Sequence, residues 1–455
     1  MIQSNQPTKQ FDNGTRQLWQ ELSVALVQRN NDQITIMLAK LVAHLDEIIS
    51  EQLSEIIQYP KFKQLESSWT NLQRLIDLPV SQRRVKLKLL DISWEQLSTD
   101  LNLAFDMRQT SLYKKIYSSE LDTAGGTPFG LVVIDHKISP DYVDDSNYDD
   151  LYTLQLLSEV AERSLCPFVL SVDDDFFGDE PSRQLHDSNR INRILESSDF
   201  HSWSLLRENV ASRFLHLTLP DYLLREPYKH HQAGFIFSEV QHQDNALWGN
   251  SAYLLATNVI REFDRISWFG FLRSYDSDGD HGAIISKVNN KSIQTKVDIF
   301  GEEDGFWGEN GFVPLTSLYL SDQKGFFSNQ SVWHPPTDEE QVLGMLQTNL
   351  MACRFGHYIK AQTRDQIGGY DSVEDCKRSL ERWLQKYISE LDYGEDSVMA
   401  RYPLKSSEVI ITPDPNDSTR YHCQISLQPQ YQYELIDVQV VLSTSLSNSE
   451  VGESA

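Results

Sequence analysis

Two short, nearly unbroken apolar runs, FGLVVID ending at Asp135 and CPFVLSV ending at Val172, flank the amphipathic stretch LYTLQLLSEVAERS. Continuous apolar runs of this length, alternating with amphipathic helices, predict strands covered on both faces and therefore an α/β fold with a largely parallel sheet. Upstream, VKLKLLDI over residues 85–92 alternates like a further strand, and Ser93 and Gln96 after it stand at capping-box spacing for a helix.

The first eighty residues have a different period. Ile34, Leu38, Leu41, Leu45, Ile48, Leu53 and Ile57 recur on a helical stripe, and a shorter helix before it carries Leu18, Leu22 and Leu26 on one face with Trp19 alongside. Pro60 ends the long helix, and Phe62, Leu65, Trp69, Leu72 and Leu75 form the stripe of another that closes at Pro79. Beyond Phe200 the segments grow aromatic and irregular, a helical stretch returns over residues 338–391, and two alternating strands close the chain. In YHCQISL, Tyr421, Cys423, Ile425 and Leu427 share a face; in LIDVQVVLS, Ile436, Val438, Val440 and Leu442 do. The last ten residues read as a disordered acidic tail. A chain of 455 residues accommodates two or three domains, divided here as an N-terminal helical extension (1–57), an α/β core (58–340) and a C-terminal α+β region with terminal strands (341–455).

A formal charge of −26 opposes binding to phosphate backbones, and no basic patch overrides it, so nucleic acid is not an expected partner. No apolar window reaches membrane-spanning length and the start of the chain lacks the apolar centre of a signal peptide, which makes the cytoplasm the expected compartment. Cys166, Cys353, Cys376 and Cys423 form no CxxC pair, so packed free thiols are expected.

Catalytic chemistry has one candidate place. Carboxylates at Asp135 and at Asp173, Asp174 and Asp175 follow apolar runs, and strand carboxyl ends are where open α/β sheets hold ligands; a divalent cation there would serve a metal-dependent hydrolase. Against this, adjacent aspartates on a turn cannot all face one ion, and no lysine or arginine accompanies them. The competing reading is a solvated turn. GGTPFG lacks the spacing of a phosphate loop, SYDSDGDHG lacks the twelfth-position glutamate of a calcium loop, and no HExxH or GxSxG occurs. No cofactor is expected.

The ordered segments IIQYPKFKQLESSW, VKLKLLDISWEQLSTDL, SLYKKIYSSELDTAGGTPFGLVVIDHKISP, LCPFVLSVDDDFFG, SRFLHLTLPDYLLREPY, LWGNSAYLLATNV, WFGFLRS, NGFVPL, GFFSNQSV and ACRFGHYIKAQTRDQIG resemble the large subunit of the type VI secretion contractile sheath, the TssC family, over nearly the whole chain. The resemblance implies a non-enzymatic structural protein. It would pair with a small TssB-like sheath subunit and stack with other copies of itself in rings around an Hcp-like inner tube. Contraction above a baseplate would follow, with disassembly by a Clp-class AAA+ ATPase. By resemblance, the helix of Leu18, Trp19, Leu22 and Leu26 is the ATPase recognition element, and the strand of Ile436, Val438, Val440 and Leu442 is shared between subunits. The sequence departs from the family at the DDD turn, at the thinned glycines of SYDSDGDHG and in its acidity.

Overall fold

Chain contacts gather residues 1–70 with 223–249 into one unit, and 71–222 with 250–455 into a second. The structure is a computed structural model in which the described residues are 13–28, 31–140, 149–178, 185–232, 234–239, 245–275, 281–285, 287–288, 291–319, 321–365, 373–389, 401–414, 417–430 and 440–447.

In the first unit, α1 (Asn13–Val27) lies against α2 (Asn31–Ile57) and buries Thr15, Leu22 and Ala25. Pro60 opens α3 (Pro60–Ile76), where a missing N–H costs nothing because that donor has no intrahelical acceptor. The second half of α2 is covered by residues 234–239. Ile236 N–H donates to the Asp46 carboxylate at 3.3 Å and Ser238 N–H to Ser50 Oγ at 3.4 Å. Arg225 locks the same unit: its fork donates to both Glu66 oxygens at 2.8 and 3.2 Å and to the buried Glu239 at 3.2 Å, while its plane stacks 4.4 Å from the Tyr228 ring centre. A guanidinium suits this place because its planar donors satisfy two carboxylates at once.

In the second unit, the capping box opens α4 (Trp94–Leu103) as expected, with Gln96 N–H donating to Ser93 Oγ at 3.2 Å and Ser93 N–H to Gln96 Oε1 at 3.3 Å. Strand β1 (Val132–Ile138), helix α5 (Asp150–Ser164) and strand β2 (Phe168–Val172) form the expected crossover. Helix α6 (His201–Glu208) precedes β3 (Leu215–Leu219), helix α7 (Ala252–Ile266) follows it, and β4 (Phe312–Pro314) completes a four-stranded sheet in the order β1-β2-β3-β4, every pair parallel. Every residue of β2 and β3 is buried, which is why these runs are apolar without alternation. The four cysteines are buried and form no disulfide.

After the 3₁₀ turn at Asp338–Gly344 come α8 (Leu346–Asp365) and α9 (Val373–Leu384), and then three antiparallel strands: β5 (Leu404–Asp414), β6 (Asp417–Pro429) and β7 (Val440–Ser447). Cys423, Ile425 and Leu427 are buried on one face, as the alternation predicts, in a cluster with Phe355, Leu380 and Leu384.

One expectation fails, and one strand was not foreseen. Residues 85–92 join no ladder among the described residues: alternation supplies strand propensity, but a strand also needs a partner edge. Conversely β5 escapes notice in the sequence, because LKSSEVIITPD mixes polar residues into its apolar positions and earns its place through pairing with β6. The expected acidic tail and much of SYDSDGDHG lie outside the described residues.

His216, fully buried on β3, gives the second unit a pH dependence. Its Nδ1 lies 3.4 Å from the carbonyl oxygen of Gln330 and Nε2 has no hydrogen-bond partner, and burial pushes its pKa down to about 4 from an ordinary 6.5. A depressed pKa means that the stabilisation is complete above the unfolded value and is lost as pH falls toward the folded one. Acidification from about pH 7.5 to about pH 5 should therefore cost about 2 kcal/mol through this group. Urea melts of the wild type and His216→Leu across that range should show a shallower pH slope in the variant; equal slopes would refute the assignment.

Candidate assembly surfaces

The carboxylates that raise the catalytic question are held by different devices and do not converge. Asp135 sits exposed within β1, where it hydrogen-bonds the Tyr253 hydroxyl of α7; burial first, then this carboxylate, drives the tyrosine's pKa well up. Asp173 lies just past β2, its N–H donating to the Ile138 carbonyl at 2.8 Å. Val133 pairs with Val169 and Lys137 with Ser171, so Asp135, in the irregular stretch between them, lies beside Leu170, about three strand positions or about 10 Å short of the level of Asp173. Lys137, a nearby cation on β1, is engaged with the buried Asp221. Among the described residues no cluster of three histidine, cysteine or acidic side chains could hold a metal ion, so the hydrolase reading has no support.

What the turn does is structural. Asp174–Phe177 forms a 3₁₀ turn, Phe176 N–H donating to the Asp173 carbonyl at 3.1 Å and Gly178 N–H to that of Asp175 at 2.9 Å. Gly178 takes φ 93°, a conformation that favours glycine. The turn leaves Asp175 exposed and buries Phe176 and Phe177 completely against Trp203, Trp307 and Phe312.

The N-terminal helices leave apolar surface uncovered. The α1 stripe splits: Leu22 is 4% exposed and turned into the unit, whereas Trp19 and Leu26 are 52% and 54% exposed and Leu18 is half-buried. Sequence spacing alone groups Leu22 with Leu26, and only contact with α2 separates them. On α2, Leu38, Val42, Leu45, Ile49 and Ile56 form an exposed seam at alternating four- and three-residue spacing, with Gln52 in the intervening place; on α3, Phe62, Leu65 and Trp69 do likewise. Such seams are the pattern of helix-to-helix contacts. Exposed contiguous apolar surface of this kind marks interaction sites.

The C-terminal sheet offers edges. In β7, Val440 and Leu442 pack half-buried on the same cluster as β6, in register with Leu427 and Ile425, while Val441 points outward. Ile436 and Val438 lie outside the described residues. Among the described residues no strand pairs with the far side of β7.

Two comparisons bear on these surfaces. A family model described as the EvpB/VC_A0108 tail sheath N-terminal domain matches residues 39–333, and one described as the EvpB/VC_A0108 tail sheath gpW/gp25-like domain matches residues 336–446. The chain is also similar to the type VI secretion system sheath protein TssC1 of Pseudomonas aeruginosa, with 27% identity over 452 residues covering 92% of this chain and 88% of the relative.

If the aspartate turn is a solvated cap, replacing Asp173, Asp174 and Asp175 together by Asn should change stability by no more than about 0.5 kcal/mol per residue. Thermal melts with and without magnesium provide the check: a large shift, or a metal-dependent one confined to the wild type, would restore the catalytic reading.

Proposed function

The chain belongs to the EvpB/VC_A0108 tail sheath family, and on that premise we propose that it is the large subunit of a type VI contractile sheath that co-assembles with a small TssB-like subunit and with further copies of itself. The observation that carries this reading is the pair of tail sheath matches, over residues 39–333 and 336–446. The role is structural. Rings of such pairs stack into a helical cylinder around an Hcp-like inner tube, anchored on a baseplate, and contraction of the cylinder propels the tube. Energy resides in the extended assembly, so the chain requires no nucleotide. The compartment in this reading is the cytoplasm; among the described residues no helix is long and apolar enough to cross a membrane. Residues 1–57 are assigned as the helical extension, 58–340 as the α/β core and 341–455 as the C-terminal α+β region with terminal strands.

We place the tether between neighbouring subunits at β7. A strand shared through main-chain hydrogen bonds holds two bodies together while letting them rotate, which contraction demands. That no strand pairs with the far side of β7 among the described residues supports this. Deleting residues 435–455 should leave a soluble pair with the small subunit that does not elongate. Negative-stain images showing tubes of normal length would defeat the tether, and an insoluble product would assign the strand to this chain's own core.

Recognition by a Clp-class AAA+ ATPase is placed on α1. Trp19 and Leu26 are the accessible anchors for a helix-in-groove contact, whereas Leu22 holds the helix to α2. Trp19→Ala with Leu26→Ser should spare tube formation and reduce ATPase capture in a pull-down at least about tenfold, as expected for the loss of two anchor side chains. Undiminished capture would return α1 to a packing role.

A further inference from the structure

Helix α8 carries three nitrogen donors along one side, and each reaches the carboxyl end of a different helix of the core. Arg354, His357 and Lys360 stand at three-residue steps, neighbours on a helical surface. Arg354 donates through Nη1 to the carbonyl of Ser267, the residue that closes α7 with φ 65°. His357, buried, places Nε2 3.1 Å from the carbonyl of Ser164, the last residue of α5; a carbonyl only accepts, so Nε2 carries the proton. Lys360 donates to the Tyr117 hydroxyl and pairs at 3.0 Å with Asp122, where the π-helix Lys114–Leu121 ends. Helix carboxyl ends present carbonyls with no intrahelical donor and a partial negative charge, so cations and N–H donors suit them.

The donors are themselves held in place. Nε and Nη2 of Arg354 donate to the Tyr358 hydroxyl at 3.0 and 2.8 Å, and its guanidinium lies 4.3 and 4.8 Å from the Trp268 and Phe263 ring centres. Lys360 Nζ sits 3.9 Å from the Tyr117 ring centre. Gly356 between them permits the close approach: a Cβ there would lie 2.6 Å from Leu165 Cδ1.

Another side of α8 belongs to the terminal sheet. Phe355 and Ile359 lie in one cluster with Val409 of β5 and Ile425 of β6, and Val440 and Leu442 of β7 pack on it. Cys353, by contrast, lies in the core cluster that contains β2 and β3. Apolar contact is non-directional and lets packed helices slide, whereas a hydrogen bond fails once its length or angle leaves a narrow range. Directed contacts to three separate helix ends fix α8 against both sliding and turning.

We propose that Arg354, His357 and Lys360 are positioning residues for sheath contraction, locking α8 to the three helix ends so that a pull on β7 reaches the core without slip. The inference rests on the placement of the inter-subunit tether at β7.

Spin labels at Glu196→Cys on the core and Glu408→Cys on β5 read the lock in the isolated chain, since both positions are exposed and the native cysteines are buried. The labelled chain with α8 unchanged should give one narrow distance. Arg354→Leu with Lys360→Met should add a second population of at least about a tenth of the molecules, because two hydrogen bonds from charged donors are lost. Arg354→Lys with Lys360→Arg, which keeps both cations, should restore the single distance. In cells expressing the complete secretion apparatus with a fluorescent sheath, the first variant should elongate sheaths to normal length that shorten less than wild type, and the second should shorten fully. A single distance in the first variant overturns the lock, and full shortening despite two distances overturns its part in contraction; both leave the tether standing. Fewer sheaths with unchanged shortening means a role confined to stability and likewise sinks the proposal. Tubes of normal length after deletion of residues 435–455 defeat the tether, and this inference with it. Should the first variant fail to fold, Lys360→Met alone, at a side chain 27% exposed, decides by the same two readings.

Discussion

Burial of Phe176 and Phe177 behind the aspartate turn holds together the second unit. Phe176 meets Trp203 and Phe312 edge to face, each at 5.6 Å, Phe177 meets Trp307 at 5.4 Å, and Trp203 stacks on Phe312 at 5.1 Å. These rings come from the end of β2, from α6, from the helix Asp304–Glu309 and from β4, so one cluster ties together elements that the chain supplies more than a hundred residues apart. Such pairs contribute about 0.5–1.5 kcal/mol each beyond the area they bury. The turn must be tight to deliver two adjacent rings inward, and it leaves Asp175 exposed.

Functional surface, by the same logic, is what the cores leave uncovered. The α2 seam and the leucines of residues 85–92 are apolar features that cost free energy in water. A monomeric protein covers such features or charges them; a subunit of an assembly keeps them for its neighbours. The polar interior is by contrast committed: Arg225 to Glu66 and Glu239, and Lys137 to Asp221, are pairs whose partners answer one another, and a charge already neutralised by its neighbour has little left for a substrate.

Much of this was written locally. Periods of two and of 3.6 place α1, α2, α3 and β6, the Ser93–Gln96 box places the start of α4, and the unbroken apolar run that becomes β2 foretells a sheet covered on both faces. A resemblance spread over ordered segments reached the sheath family, which no single motif did. The candidate surfaces were only partly legible: the α1 stripe was visible, but the burial of Leu22 and the exposure of Trp19 depend on where α2 lies.

The sequence by itself determined where the amphipathic helices α1, α2 and α3 and the strands β2 and β6 form, that the chain is acidic, and that no catalytic motif is spelled out, because these follow from neighbours within a turn or two. Tertiary structure alone decided three things: that Asp135 and Asp173 lie apart, that β5 pairs although its pattern is weak, and that residues 85–92 join no ladder among the described residues although their pattern is strong. The physical reason is common to all three. Strand pairing and side-chain convergence are set by partners distant in sequence, and a local pattern states what a segment can do without saying what will stand beside it.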